Sequence, residues 1–508
     1  MSPHSNHPHG QMGQRGVTRP MAMHQQHGHD NSGGEHDHGH GGMSHDDRLA
    51  MLHKHHRQTL WIYWTLIVLG AWMLVWPATF DHGQDPVDPS GGRSVWLSLE
   101  ARIWAMNISD IVAGLLLIVL GWRSLRPNRP VSLWGCCFVG IWLTAAPLIF
   151  WAPTAAAYVN NTLVGAWVIA LSILIPGMPN MIMYMRMGPA TPPGWSYNPS
   201  SWPQRWILIL LGFVGWLVSR YLAAYQLGYI DHAADPFFGE QTRMVLDSNM
   251  SHMWPISDAG LGSLAYTFEF LMGYMGSPSR WRTMPWMVAF FGVLVIPLGL
   301  THILLVISQP VVVGAWCTFC LLAAAIMLPM IPLEVDEVVA MGQNLRQSHH
   351  KGEPLWRVFW KGGTVDGSTP DERSPELAEL PERFRAVSGA SLWGVSVPWT
   401  LAAATALGVW LMFGPAIFGS DGMPRHAQHV GGALMITVAV IAMGEPLRLS
   451  RYLNVLLALA VIVGVWGLAG ATLAAQLNAT ATALLVAGLS LPRGRVNERF
   501  GGWDRFVR

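Results

Sequence analysis

The sequence has little charge and little cysteine. Only 12% of its 508 residues are charged, whereas soluble domains carry about 25%, and 51% are hydrophobic. A chain of this length and composition is predicted to cross a membrane several times. Its 4 cysteines exclude a disulfide-stabilised scaffold, and its net charge of +1 indicates no class of partner.

Residues 1–57 are polar and rich in histidine, glycine and methionine. No cleaved signal peptide is therefore expected, and the first apolar segment is predicted to be an anchor. The segment is predicted to be a disordered tail, because it has too little apolar surface to fold alone. Imidazole and thioether groups bind soft or borderline divalent metals. The candidate ligands are His24, His27, His29, His36, His38 and His40. Alternatively, the histidines of a solvated tail have no function.

Twelve apolar segments are each long enough, at about 20 residues, to span a bilayer. They lie near 60–79, 104–122, 132–152, 157–176, 205–229, 255–275, 285–307, 311–331, 392–413, 427–445, 452–470 and 473–491. The fold class is therefore predicted to be an all-α polytopic membrane protein. Arginines cluster after the second, sixth and tenth segments and in the C-terminal tail. Both termini are thus expected in the cytoplasm, and the protein in the plasma membrane.

The outer thirds of the chain repeat a Gly-x-Trp pattern. It starts at Gly70, Gly140 and Gly408 with a proline five residues after the tryptophan, and it recurs without the proline at Gly464. Small residues permit close helix packing, while tryptophan and proline are typical of helix ends at the membrane interface. The pattern resembles the SPW repeat, a two-helix membrane unit, over about 60–176 and 392–503. We expect these units to be a scaffold or oligomerisation element without chemistry.

A Cys-x-x-Cys pair, Cys317 and Cys320, opens the eighth apolar segment. Two thiols one helical turn apart can form a disulfide if the first turn relaxes, and a helix N-terminus lowers a thiol pKa. The predicted topology places the pair on the oxidising, extracytoplasmic side. The pair could instead be two small residues packed in a helix, or a soft-metal site. Cys136 and Cys137 are expected to be packing residues.

Further motifs precede this pair in a fixed order. Residues 245–248 read Val-Leu-Asp-Ser, and a helix start with proline, serine, glycine and tyrosine follows over 255–266. With the Cys-x-x-Cys, this order resembles the vitamin K epoxide reductase (VKOR) family over about 205–332. The resemblance implies a four-helix bundle that holds a quinone, of the menaquinone or ubiquinone type, beside a dithiol. Family members oxidise the dithiol to a disulfide and reduce the quinone.

The resemblance also implies roles for single residues. Cys320 matches the cysteine that engages the quinone, and Cys317 matches the one that exchanges with an electron-donating thiol. Asp258 falls where the family places a polar residue near the quinone carbonyl.

Five other residues are candidates for the quinone pocket. Trp254, Tyr266 and Trp316 are aromatic residues that could line it, although aromatic side chains at a membrane interface need no ligand. Intramembrane Arg220 could favour a thiolate or an anionic hydroquinone, and His302 could pass a proton to the reduced quinone. The alternatives are an arginine that extends towards the interface and a packed, hydrogen-bonded histidine.

Two family features are missing. Residues 230–254 lack the second cysteine pair that relays electrons in many members, and Ala324 stands where some have a tyrosine. Either a separate thioredoxin-like protein meets Cys317 directly, or the unit has kept the fold and lost quinone turnover.

These observations predict a membrane thiol:quinone oxidoreductase with no nucleic-acid partner. A metal-handling membrane protein and a non-catalytic scaffold are the alternatives. The predicted regions are a tail (1–57), a four-helix unit (58–176), a linker (177–204), the VKOR-like core (205–332), a cytoplasmic loop (333–390) and a second four-helix unit (391–508).

Overall fold

The computed structural model describes residues 45–80, 82–83, 85–127, 129–174, 188–376 and 383–507. Over these residues helices predominate, and the strands form one short antiparallel sheet of β1 (Ala190–Thr191) and β2 (Thr369–Pro370). The six candidate metal-binding histidines all precede residue 45 and lie outside the described residues. Within those residues, no group of three or more His, Cys, Asp or Glu side chains could hold a metal ion.

Long helices occupy all twelve predicted segments. After α1 (His45–Gln58), the first third contains α2 (Leu60–Thr79), α3 (Leu99–Ser124), α4 (Pro130–Ile149) and α5 (Ala155–Ile173). The middle third contains α6 (Trp202–Gln226), α7 (Gln241–Leu246), α8 (Asp258–Tyr274), α9 (Arg280–Thr283), α10 (Pro285–Ser308) and α11 (Thr318–His350). The last third contains α12 (Leu355–Lys361), α13 (Phe384–Ala390), α14 (Trp399–Phe418), α15 (Gly422–Ile441), α16 (Leu453–Gly467) and α17 (Leu473–Ser490).

Ten helices of the described chain are long and apolar enough to cross a membrane. The two long helices that do not qualify are α8, which has 17 residues, and α15, whose first two turns contain Arg425, His426 and His429. The protein is therefore an all-α polytopic membrane protein, with ten rather than twelve helices that qualify as spans by length and composition.

Helices α2–α5 form an N-terminal unit, and α14–α17 form a C-terminal unit. In the first unit, a Cβ added to Gly70 would lie 2.8 Å from the Gly114 carbonyl oxygen, so the two backbones touch. Gly140 and Gly165 meet in the same way, and so do Gly408 and Gly432 in the second unit. These contacts confirm that the repeated glycines serve close helix packing.

The repeated tryptophans also make equivalent contacts. The indole N–H of Trp72 donates to Asn160 Oδ1 at 2.8 Å, and that of Trp410 donates to Asn478 Oδ1 at 3.0 Å. Each bond joins the first helix of a unit to its last helix. The internal repeat is thus present in the packing, whereas its assignment to the SPW repeat stays a prediction.

The middle helices form the core between the two units. Helix α11 runs to His350, although residues 333–350 were predicted to belong to a loop. An ion pair and a hydrogen bond account for the difference. The guanidinium of Arg280 binds the buried Glu337 carboxylate at 2.5 Å, and the Tyr197 hydroxyl donates to Asp336 at 2.6 Å. These partners let a charged segment remain helical inside the protein.

Candidate functional site

The cysteine pair lies where α11 begins. Helix α10 ends in a π-helical turn, Gln309–Val313, and Gly314 then has φ +75°, which suits a glycine. The chain reaches α11 with Cys317 as the N-cap residue, and the Cys317 sulfur accepts a hydrogen bond from the Cys320 N–H at 3.2 Å. The structure thus has the predicted pair at a helix start, and both cysteines are free thiols.

The two thiols have different surroundings. Cys317 is completely buried and packs against Ala233 and Leu246 of the segment that joins α6 to α8. Its backbone N–H donates to Gln309 Oε1 at 3.0 Å. Cys320 is only half-buried. The Cys320 side chain lowers the pKa of the Cys317 thiol by hydrogen bonding. Burial opposes this effect, and the Cys320 N–H adds to it. Cys317 is therefore the thiol favoured to ionise.

Residues 227–257, which join α6 to α8 and cover Cys317, are called the covering segment. A single carboxylate, Asp235, holds this segment to the start of α11. Its oxygens accept from the Thr318 N–H at 2.9 Å and from the Thr318 hydroxyl at 2.6 Å. They also accept from the N–H groups of Phe237 and Phe238, at 2.9 and 2.8 Å, and from the Thr242 hydroxyl. Partial burial raises the pKa of Asp235, but these hydrogen bonds outweigh it and bring the pKa well below its ordinary value. The carboxylate is thus charged at neutral pH.

A cavity of about 100 Å³ that opens to the exterior lies beside Cys320. Its wall is mainly apolar, with residues such as Leu222 and Val306. Four of the predicted site residues line it: Cys320, Asp258, Tyr266 and His302. The fold therefore brings together a thiol, a carboxyl, a phenol and an imidazole that are up to 62 positions apart in the sequence.

Tyr266 and His302 meet across the cavity wall. The Tyr266 hydroxyl donates to the Ala323 carbonyl of α11 at 3.1 Å and lies 3.5 Å from His302 Nε2. The other ring nitrogen of His302, Nδ1, lies 2.9 Å from the Leu298 carbonyl oxygen, one turn earlier in α10. Because a carbonyl only accepts, Nδ1 carries the proton, and in the neutral ring Nε2 is the free basic nitrogen.

Asp258 belongs to a polar network that the sequence did not indicate. Its Oδ1 accepts from Gln226 Nε2 at 2.5 Å, from the Ser251 hydroxyl at 3.0 Å and from the Ala259 N–H at 2.8 Å. Gln226 Nε2 also donates to Ser251 Oγ at 2.6 Å, and the hydroxyl of the α8 N-cap, Ser257, donates to Gln226 Oε1 at 2.5 Å. Gln226 and Ser251 belong to no sequence motif, so only the tertiary structure identifies them as part of the site.

Three predicted pocket residues lie elsewhere. Arg220 is not among the cavity-lining residues, because its guanidinium donates to Thr162 of α5 at 2.7 Å. Trp254 is 59% exposed and does not line the cavity either. Trp316 likewise does not line the cavity, and it stacks on Phe413 of α14 with ring centroids 5.9 Å apart. Arg220 and Trp316 thus join the core to the two flanking units.

Comparison with known proteins points to the same segment. Residues 206–335 match the model of the vitamin K epoxide reductase family, close to the 205–332 predicted from the motifs. No curated protein and no solved structure matches the chain. Every cavity-lining residue and both cysteines lie inside the matched segment, whereas the flanking units lie outside it. The core segment is thus similar to the vitamin K epoxide reductase family and forms part of a larger membrane protein.

Proposed function

We propose that the core is a membrane thiol:quinone oxidoreductase. In this proposal it oxidises extracytoplasmic thiols through Cys317 and Cys320 and passes the electrons to a membrane quinone. The observation that carries the proposal is the cavity in which the Cys320 thiol lies together with Asp258, Tyr266 and His302.

The lining of the cavity is of the kind that holds the head group of a quinone. Small-molecule sites commonly have mainly apolar walls with a few convergent polar groups. The wall beside Cys320 has both features. A bound quinone of the menaquinone or ubiquinone type would supply an acceptor for two electrons and two protons. His302 would hold or deliver a proton at Nε2. The Asp258 carboxyl, held by its network, would accept a hydrogen bond from a hydroxyl of the reduced quinone.

In the proposed reaction, Cys317 is the residue that exchanges with the thiol substrate. With the pair in its disulfide form, a thiolate of a separate protein attacks the Cys317 sulfur, and the Cys317–Cys320 bond breaks with Cys320 as the leaving thiolate. The second thiol of the partner then displaces Cys317 and leaves the partner with a disulfide. The core thereby gains two electrons as a dithiol. Residues 227–257 contain no cysteine that could relay them. A thioredoxin-like partner would therefore meet Cys317 itself, once the covering segment moves.

Quinone reduction by purified protein tests the proposal. With a dithiol donor such as dithiothreitol and a soluble quinone, we expect reduction that Cys317→Ser and Cys320→Ser each lower more than 100-fold. The matched control is Cys136→Ala/Cys137→Ala, because these cysteines are buried in the N-terminal unit and should leave the rate unchanged. If the native protein reduces no quinone with any dithiol donor, the proposed function is wrong.

The proposed side of the membrane has its own test. We expect a membrane-impermeant maleimide to modify the reduced pair in intact cells. Failure to label the pair after reduction, with labelling in permeabilised cells, would contradict the extracytoplasmic location.

A further inference from the structure

The N-terminal unit reaches the wall of the cavity through Arg93, in the segment between α2 and α3. One Arg93 nitrogen, Nη2, donates to the carbonyl of Ser251 at 2.5 Å and lies 3.3 Å from the carbonyl of Trp254. The guanidinium also lies 5.2 Å from the ring centroid of Trp151, which belongs to the same unit. The Trp151 indole N–H in turn donates to the Pro255 carbonyl at 3.1 Å. Arg93 and Trp151 of the N-terminal unit thus contact three backbone carbonyls of the core.

The segment that they bind forms part of the cavity. Ser248, Met250 and Ser251 line the cavity just before α8, and Asp258 lines it from the first turn of α8. The carbonyl of Ser251 accepts from Arg93, while the hydroxyl of Ser251 donates to Asp258. Arg93 is therefore two hydrogen bonds from a cavity carboxyl, and its cation also interacts electrostatically with that carboxyl.

The shape of this segment depends on such contacts. Residues 247–257 are turns and bends rather than regular helix, so their carbonyls need partners from elsewhere. A planar guanidinium is suited to hold two carbonyls at once, whereas an ammonium group acts as a point charge. Close packing supports the same interface, because a Cβ added to Gly91 would lie 2.6 Å from Asp247 Oδ1.

We propose that Arg93 is a positioning residue of the quinone cavity, so that the N-terminal unit is a working part of the oxidoreductase. This inference rests on the proposed function of the core. Arg93 does not line the cavity. It holds the backbone of residues 251–254 and thereby sets the place of Ser251 and Asp258 in the wall.

Quinone binding without turnover separates this inference from the proposed function. The Cys317→Ser/Cys320→Ser protein cannot turn over, and menadione binding to it can be measured by calorimetry. We expect Arg93→Gln in this background to raise the Kd at least 10-fold and Arg93→Lys, which keeps the charge, to raise it about threefold. Arg123→Gln is the matched control, because Arg123 lies in the same unit near Ser132 and is expected to leave the Kd unchanged. In the active protein, Arg93→Gln should raise the KM for quinone about 10-fold and change kcat less than threefold.

Each outcome has a distinct meaning. If the parent double variant binds no quinone and the native protein reduces none, the proposed function fails. If the parent binds quinone and Arg93→Gln binds it within twofold, the positioning role is wrong. Should Arg93→Gln fail to fold, Trp151→Phe is the second variant, because it keeps an aromatic ring beside Arg93 and removes the hydrogen bond to Pro255. It is expected to raise the Kd in the same direction, and an unchanged Kd would overturn the inference.

Discussion

The substitution Asp235→Asn is expected to open the segment that covers Cys317. Asp235 Oδ1 accepts from Phe237, Phe238 and the Thr318 hydroxyl, while Oδ2 accepts from the Thr318 N–H and Thr242. An asparagine has one acceptor oxygen and would turn an NH₂ group towards one of these two sets of donors. Its oxygen would face the Oδ1 set, which includes two backbone N–H groups, so the Thr318 N–H on the other side would lose its partner.

The size of the effect follows from the bonds that are lost. A hydrogen bond to a charged group contributes about 1.5–3 kcal/mol, and two are lost with the second oxygen. Because Asp235 is half-buried, water replaces part of this contribution, and we expect the closed segment to lose about 2–3 kcal/mol. Every 1.4 kcal/mol is a factor of ten, so the open population should rise about 30- to 140-fold.

Alkylation of Cys317 measures this population. In a Cys320→Ala background, modification of the Cys317 peptide by a maleimide can be followed by mass spectrometry. When closing is faster than alkylation, the rate is proportional to the open population. The rate should therefore rise about 30- to 140-fold in Asp235→Asn. Asp231→Asn is the matched control, because Asp231 is an exposed residue of the same segment. A rate for Asp235→Asn within twofold of the parent would refute the idea that Asp235 keeps Cys317 covered.

Acidification should weaken the hydrogen bonds of Asp235 only well below neutral pH. The folded-state pKa of Asp235 is depressed, so its contribution is fully present above the unfolded value of about 3.9. The contribution is lost only as the pH falls through the lower folded value. Corrected for the thiolate fraction, the alkylation rate should therefore show no step from Asp235 between about pH 5 and 8.

Other predictions concern packing and charge. Gly140→Ala should lower the free energy of unfolding by about 1–3 kcal/mol, because its Cβ would lie 2.9 Å from the Gly165 carbonyl oxygen. Gly488→Ala is the control, because a Cβ there meets no atom within 4 Å and should not lower the melting temperature. Glu269→Met should raise the melting temperature, because both carboxyl oxygens of this buried residue lack a partner among the described residues; a lower value would show that the carboxyl is bound. Burial raises the pKa of Glu498, but hydrogen bonds from Arg373 and Ser196 outweigh this effect and lower the pKa. Acidification below about pH 4 should therefore increase hydrogen exchange over residues 494–500. Glu498→Gln should remove that pH dependence.

Much of the fold could be predicted because a membrane chain must place apolar residues in long runs. A long helix lies in each of the twelve predicted segments. The continuation of α11 to His350 could not be predicted, because residues 333–350 contain several charged residues and read as a solvated loop. Only the burial of Arg280 against Glu337 shows that these charges lie inside the protein.

The candidate site was predicted in part. The motifs that resemble the VKOR family identified Asp258, Tyr266 and Cys320, and the rarity of charge in a span identified His302. The same rarity also selected Arg220, whose side chain binds Thr162 of the neighbouring unit. A polar residue in a span must have a partner, but the sequence does not say which helix provides it.

The sequence by itself determined the apolar segments, the helix start at Cys317 and the family-like order of motifs, because each depends on neighbouring positions along one chain. The tertiary structure alone decided which distant groups meet. Arg93 reaches the carbonyl of Ser251 across 158 positions, and Gln226 reaches Asp258 across 32. Such contacts depend on how each helix is rotated and on the path of the connecting segments, and the packing of the whole chain sets both.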